Sequence, residues 1–145
     1  MENRLTDFSP HENRVTGADL LAGALKAAGV EFVFMEDHAE TAPMAAAVKN
    51  SGRLRLLNPV SEICCVPMAD ACARYTGRPV ASITAGGGHC ANQIMGITTA
   101  WGDKTPVLSI GIGKEEGPAL SPVFDRRQVS MEDIFAPVTV YQATI

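Results

Sequence analysis

The sequence predicts an α/β fold of three layers, α/β/α, built on a mainly parallel sheet. Three observations carry this prediction. Short runs rich in β-branched and aromatic residues alternate with stretches of helical period; the helical stretches begin at capping residues and stop at glycines; and successive strand runs are separated by segments long enough for right-handed crossovers.

In chain order, residues 1–15, MENRLTDFSPHENRV, are polar, carry Pro10 and hold no period, which predicts a flexible N-terminal arm ahead of one domain over 16–145. Thr16, with Asp19 three positions on, reads as a helix start. Leu20, Leu21, Ala24, Leu25 and Ala28 then share one helical face up to Gly29, which predicts a helix over 17–28. VEFVF predicts the first strand, and TAPMAAAVKNSG a second helix capped by Thr41 and closed near Gly52. RLRLL predicts the second strand, 61–75 a third helix ended by Gly77, and PVASIT the third strand. A glycine run leads into a helix over 89–101, PVLSIGI predicts the fourth strand, 113–130 a loop and VTVYQA a last strand.

With 145 residues, 46% of them apolar, the chain suffices for one packed core. Its 12 basic and 16 acidic side chains are scattered and form no block, which argues against nucleic acid and anionic membrane as partners. The most apolar N-terminal stretch, LLAGALKAAGVEFVFM, is interrupted by Lys26 and Glu31 and follows no cleavable leader, so a soluble intracellular protein is expected. Cys64, Cys65, Cys72 and Cys90 form no C-x-x-C pair and no histidine stands at zinc spacing. No metal site is predicted, and reduced thiols point to the cytoplasm.

Ligands of parallel sheets bind beyond the carboxyl ends of the strands, which selects loops 35–41, 58–62 and 84–91. In the first, Glu36, Asp37 and His38 are either solvated charges or contacts to a ligand. In the third, TAGGGHCAN joins strand to helix: its glycines suit a phosphate cradle or a tight turn made for packing, and it lacks the pattern of a P-loop. His89 and Cys90 in the same turn suggest a cysteine nucleophile, with His38 as its base; the alternative is a small buried thiol. Glu62 is the sole charge between Leu56 and Ala69. It is either a helix-start carboxylate or a group that serves a reaction.

The segments GADLLAGALKAAGVEFVF, SEICCVPMADACARYTGRPVASIT, GGGHCANQIMGITTAWGDKTPVLSI and FDRRQVSMEDIFAPVTVY resemble the pyrimidine-binding (PYR) domain of thiamine diphosphate enzymes of the acetolactate synthase and 2-oxo acid decarboxylase group. The similarity covers about residues 16 to 142. Its most specific part is Glu62 fifteen residues before Gly77, with Ala73, Arg74 and Thr76 between; Asn92, Gly96, Ala100, Asp103 and Pro106 fit the following helix and strand. The resemblance implies that Glu62 bonds N1' of the cofactor's aminopyrimidine from an apolar pocket that keeps its carboxyl protonated, and so activates the cofactor. It also makes Gly87, Gly88, His89 and Asn92 candidate cofactor contacts, His38 a candidate catalytic residue, and Glu36, Asp37 and His38 candidates on the substrate side.

The chain also departs from the family pattern. Met35-Glu36-Asp37-His38 stands where relatives often have Gly-x-Pro-Gly, Ser61-Glu62-Ile63 replaces His-Glu-Gln, and the glycine turn is one residue longer or shifted. The sequence contains no Gly-Asp-Gly with a later Asn, the mark of the diphosphate-binding (PP) domain, and it stops before the closing helix and strand typical of the PYR domain. The resemblance therefore implies a PYR-domain subunit of a heteromeric lyase or carboligase acting on a small 2-oxo acid. A PP-domain partner chain would hold the diphosphate and Mg2+, in an assembly such as α2β2. A non-catalytic assembly or regulatory domain, or a cysteine hydrolase using Cys90, are the alternative readings.

Overall fold

The computed structural model describes residues 15–113 and 131–144. The arm predicted over 1–15 and the loop predicted over 113–130 lie outside these residues, apart from Val15 and Gly113. The elements run α1 (Gly17–Ala27), β1 (Phe32–Met35), α2 (Ala42–Asn50), β2 (Arg55–Leu57), α3 (Glu62–Thr76), β3 (Val80–Ala85), α4 (Gly88–Ala91), α5 (Ile94–Gly102), β4 (Val107–Ile112) and α6 (Met131–Phe135), then a 3-10 turn over Ala136–Val138. All pairings are parallel, in the order β2-β1-β3-β4.

Strand alternation builds the layers. Val33 and Met35 of β1 and Ala81 and Ile83 of β3 face α1 and α2, packing on Ala22, Leu25, Met44, Ala47 and Val48. Phe34 and Val80 point the other way, onto Cys65, Ala69 and Ala73 of α3. A three-layer α/β/α arrangement results, with the site loops at the carboxyl ends of β1, β2 and β3. Among the described residues, no helix is long and apolar enough to cross a membrane.

The local signals act largely as read. Thr16 and Asp19 form a reciprocal capping box on α1. Gly77 ends α3 at φ 67°, a left-handed conformation that costs glycine no Cβ clash. The face of α1 is rotated from the prediction: Ala22 and Leu25 are buried, while Leu20 is 67% exposed. Alanine and leucine all round the helix make the period ambiguous, and packing against α2 decides it.

Two larger corrections concern the second half. The helix predicted over 89–101 is broken into α4 and α5 at Asn92 and Gln93. The strand predicted from VTVYQA does not form; Thr139 is extended, but Val140 and Tyr141 are 92% and 80% exposed and pair with no strand among the described residues. β-branched composition favours a pleated surface only where a neighbour supplies one. The short helix over MEDIF, ahead of that stretch, was not predicted.

Candidate functional site

The β2–α3 loop ends at Ser61, whose hydroxyl accepts from the Ile63 amide and caps α3. Glu62, the first residue of the helix, is held at a helix N-terminus where negative charge is favoured. Its Oε1 accepts from Asn92 Nδ2 at 2.7 Å and its Oε2 from Ser61 Oγ at 3.0 Å. The side chain is 18% exposed. The resemblance implies an apolar pocket that keeps this carboxyl protonated; the chain by itself gives it polar partners. The Asn92 hydrogen bond, with further help from its own backbone amide, Ser61 and His89, outweighs desolvation and holds the Glu62 carboxyl below its ordinary value. Glu62 is therefore a carboxylate at neutral pH.

A second group stands beside it. Glu36, at the end of β1, is buried, and its Oε1 accepts the Ala85 amide while its Oε2 lies 3.0 Å from His89 Nδ1. That nitrogen is also 3.8 Å from Glu62 Oε1. The His38 ring lies against His89, centroids 5.0 Å apart. The structure thus brings Glu36, His38, Glu62 and His89 together from the three selected loops, with Asn92 one residue past the third.

Buried polar bonds fix the loops. Thr41 stands at the N-cap of α2 as predicted, but its hydroxyl bonds no helix amide; it accepts the His38 amide at 3.2 Å and lies 2.9 Å from the Glu36 carbonyl oxygen. Asn58 Nδ2 donates to the Met35 carbonyl at 3.0 Å, tying the loop that leads to Glu62 to the end of β1. Gln93 is fully buried: its Oε1 accepts from Ser82 and Ser109, at 2.7 and 3.2 Å, and its Nε2 donates to Thr84 at 2.7 Å. This network pins the α4–α5 break to β3 and β4, and with it the turn that carries His89 and Asn92. Sequence reading missed Gln93. The polar faces of β3 and β4, Ser82, Thr84 and Ser109, were the signal that a buried partner was needed.

Other candidates fare differently. Asp37 is exposed. Gly87 takes a positive φ of 61° and Gly88 opens α4, with open space where either would carry a Cβ. Gly86 is the glycine that packing demands, since a Cβ there would meet the Ile112 carbonyl oxygen at 2.9 Å. Cys90 is buried, its thiol pushed up by desolvation, and among the described residues no histidine is hydrogen-bonded to it. That geometry does not prepare a nucleophile. Ligand atoms of Glu36, Glu62 and His89 lie within 4.8 Å of one another. Sequence spacing hides the trio because each residue comes from a different loop. A cavity of about 1140 Å³ lies elsewhere, between β4, α5 and residues 131–144, and among its lining residues only Gly86, Gly87 and Cys90 belong to the glycine turn.

Residues 15–129 match the profile of the family described as thiamine pyrophosphate enzyme, N-terminal TPP binding domain. The chain belongs to this family. Thiamine pyrophosphate is thiamine diphosphate, and the domain is the PYR domain that the sequence resembled. Among curated relatives, the chloroplastic acetolactate synthase of Arabidopsis thaliana is 31% identical over 109 residues, 75% of this chain and 16% of that protein. The 2-hydroxyacyl-CoA lyase 2 of Mus musculus is 35% identical over 66% of the chain and 15% of its own length. The catabolic acetolactate synthase of Raoultella terrigena is 28% identical over 96% of the chain and 24% of its own length. The chain thus spans a quarter or less of the length of these relatives. Within the PYR domain, the matching residues Arg74 and Asp103 are structural: Arg74 bridges Asp70 on its own helix and Asp103 at the end of α5. Gly96 lets α5 approach α3, since a Cβ there would lie 2.8 Å from Val66.

Proposed function

We propose that this PYR domain is one subunit of a heteromeric thiamine diphosphate-dependent lyase or carboligase acting on a small 2-oxo acid. A PP-domain partner chain holds the diphosphate and Mg2+, and the reducing cytoplasm is the setting that its free thiols fit. The observation that carries this reading is Glu62 at the N-terminus of α3, oriented by Asn92 in the cleft beyond the parallel strands.

The residues present fit an aminopyrimidine. A carboxylate offers about four lone-pair sites, and the protein fills one on each Glu62 oxygen. Capacity remains for a ring nitrogen that carries a hydrogen, with its N–H donating. Glu62, ionised in this chain, would hydrogen-bond N1' once the two groups together had taken up one proton from solvent, which they would then share. Asn92 and Ser61 hold the oxygens in place while that proton moves. Thiamine diphosphate, when bound, supplies the carbon nucleophile that adds to the 2-oxo acid carbonyl and takes up the electron pair released as carbon dioxide leaves. Glu36, His38 and His89 face the same cleft and supply the substrate side.

The test is reconstitution. The chain, a PP-domain partner that co-purifies with it, thiamine diphosphate and Mg2+ are mixed, and small 2-oxo acids are surveyed for carbon dioxide release. Release that requires both chains is expected; a partner complex inert toward every 2-oxo acid, yet intact, would make this an assembly domain instead.

A further inference from the structure

Two imidazoles meet in the cleft, and their partners fix opposite proton positions. His38 Nδ1 accepts the Glu40 backbone N–H at 3.2 Å. A backbone amide only donates, so this nitrogen is bare and neutral His38 carries its hydrogen on Nε2. His89 is arranged in reverse. Its Nδ1 faces Glu36 Oε2 at 3.0 Å and Glu62 Oε1 at 3.8 Å, while the other Glu36 oxygen takes the Ala85 N–H. A carboxylate only accepts, so Nδ1 bears the hydrogen and neutral His89 has a bare Nε2. Among the described residues neither Nε2 has a protein partner. The His89 side chain is 43% exposed and that of Glu36 only 7%, so the ring is reachable while its anchor is enclosed.

We infer that His38 and His89 form a matched donor and acceptor pair for substrate, with Glu36 as the positioning residue that makes His89 a base. This rests on the function proposed above and specifies its substrate side. His38 Nε2–H donates to a carboxylate or carbonyl oxygen of the small 2-oxo acid. His89 Nε2 accepts a hydrogen bond from a hydroxyl or water beside it; on taking that proton it becomes an imidazolium next to the Glu36 and Glu62 carboxylates, the oxygen keeps the electron pair, and the same nitrogen returns the proton to that oxygen. No other co-reactant is required. The substrate class that suits this pair is a small acid presenting an acceptor oxygen beside a proton-bearing one.

Long-range 1H–15N correlation spectra of the 15N-labelled chain, at a pH above the titration of each ring, report both tautomers without cofactor or partner. Glu36→Gln is the discriminating variant. The Ala85 amide engages the new side chain's oxygen, which turns its NH2 toward His89 Nδ1 and drives the ring hydrogen to Nε2. The expected result is Nδ1–H for His89 and Nε2–H for His38 in the wild type, with only His89 inverted in the variant. Nε2–H on His89 in the wild type, or Nδ1–H retained in a Glu36→Gln chain with a dispersed native spectrum, overturns the inference. Should that variant not fold, the wild-type tautomers decide alone. In the reconstituted enzyme, Glu36→Gln is expected to lower kcat by about 10²- to 10⁴-fold with KM little changed. Loss of cofactor binding by every form, with the tautomers as stated, would instead defeat the proposed function and leave the pairing standing.

Discussion

Asn92 Nδ2 donates to Glu62 Oε1 at 2.7 Å, joining residues 30 apart in the sequence across the mouth of the cleft. The bond places the carboxylate and sets its charge. It holds the Glu62 carboxyl below the ordinary value of 4.5, so this side chain contributes stability that is present above 4.5 and lost as pH falls through its lower native value.

Asn92→Ala should therefore raise the Glu62 titration toward its ordinary position, read by carboxyl carbon chemical shift. The stability difference between wild type and variant should be present at neutral pH and shrink on acidification. An unmoved titration would mean that other contacts hold the charge.

Gly96→Ala tests the contact between α3 and α5. A Cβ would come within 2.8 Å of Val66 and 2.9 Å of Pro67, neither at the end of a flexible side chain. A loss of about 1–3 kcal/mol is expected from overpacking, measured as a lower urea midpoint at unchanged slope. A neutral result would show that the two helices separate freely.

Gln93→Leu keeps the volume but strips the hydroxyls of Ser82, Thr84 and Ser109 of their shared partner. Each buried hydroxyl left unpaired costs about 1–3 kcal/mol. Adding Ser82→Ala to the variant should recover part of the loss; no recovery would place the cost in the backbone of the α4–α5 break instead.

The thiols give a fourth expectation. Burial, with the nearby Glu36 charge, pushes Cys65 up to about 12, and burial raises Cys72 and Cys90. Since the thiolate is the reactive form, these three should modify slowly in the native chain at neutral pH and quickly once it is denatured. Fast native labelling of Cys90, followed by peptide mapping, would revive a nucleophilic role for it.

Much of this was legible in the sequence because local chemistry decided it. The Thr16–Asp19 box, the glycine ends of α1 and α3 and the alternation of β1 are short-range signals. The three strand-end loops were legible too, because parallel topology fixes where ligands approach. What was hidden depended on contacts far apart in the chain. The meeting of Glu36 with His89 spans 53 residues, and the burial of Gln93 depends on hydroxyls from two strands. The polar setting of Glu62 in the chain alone was hidden too, because its apolar sequence neighbours are not the groups that hydrogen-bond its oxygens. Asn92, from the next loop, decides it.

The central claim is that Glu62 handles the proton at N1' of the bound aminopyrimidine, and the most direct measurement is exchange of the cofactor's C2 proton for deuterium in the complex with the PP-domain partner. Glu62→Gln keeps the shape and leaves no buried charge unpaired, so folding and partner binding should persist. Exchange in the variant should be slower by roughly two orders of magnitude or more, as expected for loss of a positioned acid–base group. Equal exchange rates would contradict the account and leave Glu62 an ordinary carboxylate at the start of a helix.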